Sequence, residues 1–300
     1  MTSPGFSEEL IAMLSVDPEP RHCLLASATL RPDTPMGRLE KLPKEITLQV
    51  LETLDIQSLY RLSQSCFRAR RLVQDFQPYR EILKHAPTLP FILAKTKLLS
   101  RHAALHIFRQ VLRSDRCSSC RAFGAYAFLL TCERVCMHCL NLEKQFKFVE
   151  MSLAKSIFVL NDEQIAAAPS CYCPVRDLAF VRVKDAEEIA TALNEPQSLF
   201  VSLGLDRLFI SYCSITISSS AAYIPFPTEA GPDGGRHCLG CLTHLGMVFV
   251  QALSAHPPNS ASDLLNQKEL NVDARLYSRT EFLGHVNRCP GVQRLLQERQ

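Results

Sequence analysis

The sequence predicts an α+β fold that is mainly helical. Between residues 39 and 79, apolar residues recur every three to four positions, which is the spacing of amphipathic helices. Farther along the chain, residues 199–201 and 208–217 are rich in β-branched and aromatic residues, which favours strands. Cysteines occur in closely spaced pairs after residue 116. Together these observations indicate a helical N-terminal module followed by a mixed α/β domain.

Composition narrows the class of protein. With 300 residues, the chain can form one large domain or two of modest size. Its net charge of +3 and pI near 8.2 give no strong electrostatic reason to expect nucleic acid or a membrane as a partner. No apolar run reaches the roughly eighteen residues of a membrane span, and no signal peptide is recognisable at the N-terminus. We therefore expect a soluble protein of the cytoplasm, the nucleus or both, whose thirteen cysteines are metal ligands or core residues rather than disulfides.

The helical module follows a proline-rich start, residues 1–36, which is expected to be a flexible tail. Its first helix is expected to begin at Pro43, because proline is tolerated in a first helical turn. Asp55 can cap a second helix, and the apolar pattern continues from Cys66 to Phe76 into a third. Three helices in about forty residues bury too little surface to be stable alone. Their spare apolar surface therefore needs a partner, either the rest of this chain or another protein.

Two motifs in this module carry a family resemblance. The pattern L-P-x-E-I-x-x-x-V-L-x-x-L at residues 42–54, followed by D-x-x-S-L-x-x-L-S-x-x-C at residues 55–66, resembles an F-box. The resemblance implies a three-helix F-box over residues 37–85 that docks the small adaptor subunit of a cullin–RING ubiquitin ligase. The residues that it assigns to this module and its docking are Leu42, Pro43, Ile46, Val50, Leu51, Leu54, Leu59 and Leu62. The alternative is a helical subdomain packed on its own chain.

A helix expected over residues 98–112 leads into the first metal candidate. Two Cys-x2-Cys pairs, Cys117 with Cys120 and Cys136 with Cys139, are separated by fifteen residues. Each such turn presents two thiolates to one metal, and two turns complete a tetrahedral zinc site. Cys132 is interpreted as a buried core thiol, since free cysteine behaves as a small apolar residue.

A second metal candidate lies near the C-terminus. Cys238 and Cys241 form another Cys-x2-Cys pair, and His285 and Cys289 are expected on one face of a helix that Thr280 can cap. His244 competes with His285 as the fourth ligand, and two unrelated cysteine clusters are the alternative. Both sites would be structural zinc sites, because four protein ligands leave no open position for catalysis.

A wider resemblance covers much of residues 38–295. The patterns C-x-x-C-x-x-F-G-x-Y-x-F-L-x-T-C-E-R-V-C-x-x-C-L, S-L-A-K-x-x-F-x-L and Y-S-R-T-E-F-L-x-H-V-x-x-C look like fungal F-box-containing proteins with a cysteine-rich, zinc-binding C-terminal region. This resemblance supports the second zinc site, and in the substrate-receptor hypothesis residues 86–300 hold the target protein. Cys171 and Cys173 match nothing in it, so no role is carried over to them.

Three functions compete on this evidence. The first is the non-catalytic substrate receptor of an SCF-type ubiquitin ligase, which binds the adaptor and an unknown target protein. The second is a zinc-stabilised module that binds protein or nucleic acid, in which the helical part is merely structural. The third is an enzyme, against which stands the lack of a Ser-His-Asp set, paired carboxylates or a phosphate-binding glycine loop at usable spacing. We expect the first function, with neither nucleic acid nor a membrane as a partner.

Overall fold

The computed structural model describes residues 15–16, 36–173, 177–192, 220–243 and 275–297. Its N-terminal part consists of short helices. A 3-10 turn at Gly37–Lys41 precedes α1 (Lys44–Thr53), α2 (Ile56–Ser63), α3 (Phe67–Asp75), α4 (Gln77–His85), α5 (Thr88–Lys95) and α6 (Ala104–Ile107). Helix α6 continues directly as a π-helical segment, Phe108–Leu112. Among the described helices, none is long and apolar enough to cross a membrane.

Side chains at the helix starts explain where the helices begin. The Asp55 carboxylate accepts a hydrogen bond from the Ser58 amide at 2.8 Å, which confirms Asp55 as the cap of α2. The Cys66 sulfur accepts from the Ala69 amide at 3.4 Å at the start of α3. The prediction of three helices was incomplete, because a fourth begins at Gln77 with Pro78 in its first turn.

The helix expected over residues 98–112 begins only at Ala104. The pattern placed Leu98, Leu105, Phe108 and Leu112 on one helical face. Of these four, Leu98 and Leu112 are buried, whereas Leu105 and Phe108 are only partly buried. The π-helical segment contributes to this difference, since its wider turns change which residues face inward.

The later described residues form small antiparallel sheets with helices between them. One sheet has the order β3 (Glu133–Val135), β2 (Tyr126–Phe128), β7 (Ala221–Tyr223), and a second has the order β4 (Phe148–Glu150), β6 (Leu178–Arg182), β5 (Ser170–Cys173). A third contains β1 (Ser15–Val16), β10 (Arg236–Cys238) and β11 (Leu276–Tyr277), and β8 (Phe226–Thr228) pairs with β9 (Gly231–Asp233). The helices are α7 (Met137–Leu142), α8 (Met151–Phe158), α9 (Asp162–Ala166), α10 (Val183–Ala192), α11 (Arg279–Val286) and α12 (Pro290–Gln297).

The largest buried cluster runs from the N-terminal helices into the cysteine-rich part. It includes Leu51 and Leu59 from the N-terminal helices, Cys117 and Cys136 from the first cysteine group, and Ile224 after β7. Backbone hydrogen bonds join the same regions, from Ile56 to the His102 carbonyl at 3.2 Å and from Ala104 to the Leu54 carbonyl at 3.4 Å. The N-terminal helices therefore share one buried core with the first cysteine group.

A fully buried arginine ties three segments together near this group. Arg134, with 1% of its surface exposed, donates to the carbonyl oxygens of Val111 at 2.6 Å, Gly124 at 2.7 Å and Ile224 at 2.8 Å, with a fourth contact to Pro225 at 3.3 Å. Burial lowers the pKa of Arg134 to about 10, so the guanidinium still carries its charge at neutral pH. The arginine thus links the π-helical segment, the cysteine loop and the strand region near β7.

Several predictions fall outside the described residues. These are the strands at 199–201 and 208–217, residue His244, and most of the tail at 1–36, of which Ser15 and Val16 pair with β10. Cys171 and Cys173 lie within the description, on β5, where both side chains are buried.

Candidate docking face and metal centres

The first cysteine group is assembled from a loop and a helix start. Cys117, Cys120, Cys136 and Cys139 place their sulfur atoms within 4.8 Å of one another. Arg121, with a φ of 61°, reverses the chain after the first pair, and its amide donates to the Cys117 carbonyl at 3.1 Å. The second pair opens α7, where the Cys136 sulfur accepts from the Cys139 amide at 3.4 Å.

The spacing of these sulfur atoms fits a metal site better than a disulfide. The Cys120 and Cys136 sulfurs lie 3.6 Å apart. Four sulfur ligands at about 2.3 Å from a zinc ion would be separated by about 3.8 Å, whereas a disulfide bond is about 2.05 Å long. The group could therefore hold a metal ion. Cys132 lies outside it, buried in the core with its sulfur 3.7 Å from the Leu129 carbonyl oxygen, as the sequence predicted.

One thiol of this group ionises more easily than its neighbours. A hydrogen bond with Cys136 lowers the pKa of Cys117 to about 4, and the same interaction raises the pKa of Cys136. Burial raises the pKa of Cys139. A bound cation would favour the thiolate at every position, because metals bind cysteine in its deprotonated form.

The second group contains Cys238, Cys241, His285 and Cys289, whose ligand atoms also lie within 4.8 Å of one another. The Cys241 sulfur is 3.3 Å from His285 Nε2 and 3.6 Å from the Cys289 sulfur, which in turn is 3.8 Å from the Cys238 sulfur. These separations are close to those of a tetrahedral site with three sulfurs and one imidazole. The structure thus brings together the four residues that the sequence singled out here.

Their local structure differs from the sequence prediction in two respects. Ser278, not Thr280, caps α11, in a reciprocal arrangement with Glu281. The helix ends at Val286, so Cys289 reaches the site from the turn before α12 rather than from the face of a continuous helix.

Two glycines allow the second group to close. Gly240 lies between the first two cysteines, and Gly291 follows Cys289. A Cβ atom on Gly291 would lie 2.1 Å from the Gly240 carbonyl oxygen, far inside van der Waals contact. The His285 ring stacks on Tyr277, with 4.2 Å between the ring centroids, which fixes its orientation.

Contacts between the two groups join them into one region. Arg116, next to Cys117, forms an ion pair with Glu281 on the helix that carries His285. Phe123, between the first two cysteine pairs, packs with Leu276 of β11 in a small buried cluster. Residues next to the first cysteine group therefore contact residues next to the second.

A separate feature is an exposed apolar surface on the 3-10 turn and α1. Leu39, Leu42, Ile46 and Val50, here called the docking face, each keep between 37% and 42% of their surface exposed. Leu48, which is 37% exposed, lies about 200° around α1 from Ile46 and is not part of this face. An ion pair of 2.7 Å between Arg68 and Glu40 holds the 3-10 turn against α3. Exposed apolar side chains in such a concentration are typical of a protein-binding surface.

The residues that the resemblance assigned to adaptor docking divide into three sets. Leu42, Pro43, Ile46 and Val50 are exposed, and Leu54 and Leu62 pack partly against the core. Leu51 and Leu59, with 1% and 0% of their surface exposed, lie in the core, where they stabilise the module itself.

Sequence reasoning missed several residues that the structure places at these sites. Leu39, which precedes α1, belongs to the docking face. Nothing in the spacing singled out Arg134 or the Arg116–Glu281 pair, whose partners are distant in sequence.

Comparison with known proteins places the docking face within a recognised class of helical module. Residues 39–85 match the family model described as F-box-like, so the chain contains an F-box-like domain. No curated protein and no solved structure matched the chain.

Proposed function

We propose that this chain is a non-catalytic substrate receptor of an SCF-type cullin–RING ubiquitin ligase. The observation that carries the proposal is the docking face, which lies within the F-box-like domain and leaves four apolar side chains exposed. Domains of this class bind Skp1-type adaptors. An adaptor covering this face would remove these side chains from water, at roughly 25 cal/mol for each Å² of apolar surface.

In this proposal the chain contributes proximity, and the partner complex supplies the chemistry. The continuous core between the N-terminal helices and the cysteine-rich part supports such a role, because a target held by the latter would keep a fixed position relative to the adaptor. The cysteine-rich part is proposed to hold the target protein.

We also propose zinc as the metal of both cysteine groups. Four thiolates in one group and three thiolates with an imidazole in the other are donor sets that zinc prefers, and each is closed, with four protein ligands. The role of zinc would be structural.

Co-expression with the adaptor, followed by size exclusion, tests the docking proposal. Ile46→Arg should abolish co-elution, because a charge would be buried in the interface. Leu153→Arg is the matched control, since Leu153 is similarly exposed (38% against 42% for Ile46) but lies on α8. If the folded Ile46→Arg variant still co-elutes with the adaptor, the docking face is wrong. If the metal-loaded wild type does not bind the adaptor, the N-terminal helices only pack against their own chain, and the protein is a binding module that does not act in ubiquitination.

A further inference from the structure

One stretch of the described chain carries several positive charges and contains no carboxylate of its own. Between Glu81 and Asp115 the sequence contains no acidic residue, although the net charge of the whole chain is only +3. The same stretch contains six lysines and arginines, all exposed in the structure and here called the cationic surface: Lys84, Lys95, Lys97, Arg101, Arg109 and Arg113.

Some lysines elsewhere on the described surface are neutralised by carboxylates. Lys144 pairs with Glu187, Lys155 with Asp162, and Lys184 with Glu188. Within the described residues, no member of the cationic surface forms an ion pair. The surface therefore offers charges that a partner can neutralise, without first breaking an internal pair.

The elements that carry these charges are packed together. Helix α4, which bears Lys84, packs against α6 and its π-helical continuation, which bears Arg109. Arg101 precedes α6, and Arg113 follows the π-helical segment. Helix α6 also packs against α1, so packed helices connect the cationic surface with the docking face.

Aromatic rings hold three of the cations in place. Lys97 Nζ lies 3.8 Å from the ring centroid of Tyr172, and the Arg113 guanidinium lies 4.7 Å from that of Phe108. Lys95 Nζ is 5.4 Å from the Phe91 centroid. Such contacts restrict long side chains while leaving their charge available, which reduces the entropy lost on binding.

From these observations we propose that the cationic surface binds an anionic peptide segment of the target protein. The inference rests on the proposed function, because it names the chemistry of the target. Carboxylate-rich and phosphorylated segments share this chemistry, and arginine suits both, since its guanidinium can bind either group through paired hydrogen bonds. A peptide fits better than a nucleic acid, because the three aromatic rings are engaged by the chain's own cations instead of being free to stack on bases.

The test uses the full chain and three fluorescent probes of equal net charge: a glutamate-rich peptide, a phosphoserine peptide and a single-stranded oligonucleotide. Binding of at least one peptide is expected by fluorescence polarisation. Raising the salt from about 0.1 M to about 1 M, which shortens the screening length from about 10 Å to about 3 Å, should weaken that binding about tenfold or more. The two peptides distinguish carboxylate from phosphate recognition.

Arg109→Glu combined with Arg113→Glu should weaken peptide binding at least about tenfold, because contacts with charged groups contribute strongly to recognition. Lys155→Glu combined with Lys184→Glu makes the same change in net charge away from this surface and should leave binding within about twofold. Melting temperature and metal content verify that both variants are folded.

Three results would overturn the inference: neither peptide binds the folded chain, the two double variants lose binding equally, or the oligonucleotide binds more tightly than both peptides. Adaptor binding is measured separately on the same samples. Peptide binding without adaptor binding would contradict the proposed function but retain the peptide-binding surface. Adaptor binding without peptide binding would contradict this inference alone.

Discussion

The buried side chain of Arg134 gives the sharpest prediction about stability. Replacing it with methionine keeps most of the buried volume but removes three hydrogen bonds of 2.6–2.8 Å and a fourth of 3.3 Å. Hydrogen bonds from a charged donor contribute roughly 1.5–3 kcal/mol each, and each buried carbonyl left without a donor adds a penalty. Burying the guanidinium without a carboxylate costs several kcal/mol in the opposite direction.

We therefore expect Arg134→Met to lower the free energy of unfolding by about 3 kcal/mol or more, a large part of the roughly 5–15 kcal/mol that stabilises a typical domain. Urea denaturation of the zinc-loaded protein measures this loss. Arg121→Met is the matched control, because Arg121 is exposed, and it should change stability by no more than about 0.5 kcal/mol. A loss below about 1 kcal/mol for Arg134→Met would refute the role assigned to these bonds.

The remaining predictions concern the metal groups and acid sensitivity. Cys136→Ser should reduce bound zinc from about two ions per chain to about one and lower the melting temperature, because site formation is coupled to folding. Gly291→Ala should release the other ion, since its Cβ would lie 2.1 Å from the Gly240 carbonyl oxygen. Burial lowers the pKa of His102 to about 4, so its protonation removes stability as the pH falls from 6.5 towards 4, by up to about 3 kcal/mol. His102→Gln keeps a donor for the Leu129 carbonyl but does not titrate, and should flatten this dependence in urea denaturation.

Each of these predictions has its own control. Cys132→Ala should retain both zinc ions, since Cys132 lies outside the first group. Gly284→Ala should retain them as well, because the nearest atom to a Cβ there is 3.8 Å away at the tip of Arg288. Full zinc content in Cys136→Ser or Gly291→Ala would contradict the corresponding site, and an unchanged acid dependence in His102→Gln would contradict the role of that imidazole.

Much of the local structure was predictable, because short-range patterns determine it. Asp55 was expected to cap a helix and does so, and Asn161 caps α9 in a reciprocal arrangement with Gln164. These caps depend on side chains that reach amides only three residues away, so the sequence spacing contains the whole interaction.

The residues of the two cysteine groups could also be predicted from their spacing, although the backbone structure that brings them together could not. A Cys-x2-Cys turn has few conformations that aim both sulfurs at one point, which explains the agreement for Cys117 and Cys120. His285 and Cys289 come together for a different reason than expected, since α11 ends between them. The structure that unites them depends on the contact between Gly240 and Gly291, which are far apart in sequence.

What the sequence could not provide was the division between core and surface in the N-terminal helices. An apolar stripe predicts that residues are buried, but not whether the same chain buries them. Leu51 enters the core while Ile46 and Val50 stay exposed, because the neighbouring helices cover only one edge of α1. The role of Arg134 could not be predicted from the sequence either, because the carbonyl groups that accept its hydrogen bonds lie up to 91 residues away.

The measurement that tests the central claim most directly is a calorimetric titration of the zinc-loaded full chain with the adaptor. The account predicts one adaptor per chain, and an affinity that falls at least about a hundredfold in Ile46→Arg but not in Leu153→Arg, because only the first variant buries a charge in the interface. No binding by the folded wild type, or equal affinity for both variants, would contradict the assignment of the docking face and with it the proposed role in ubiquitination.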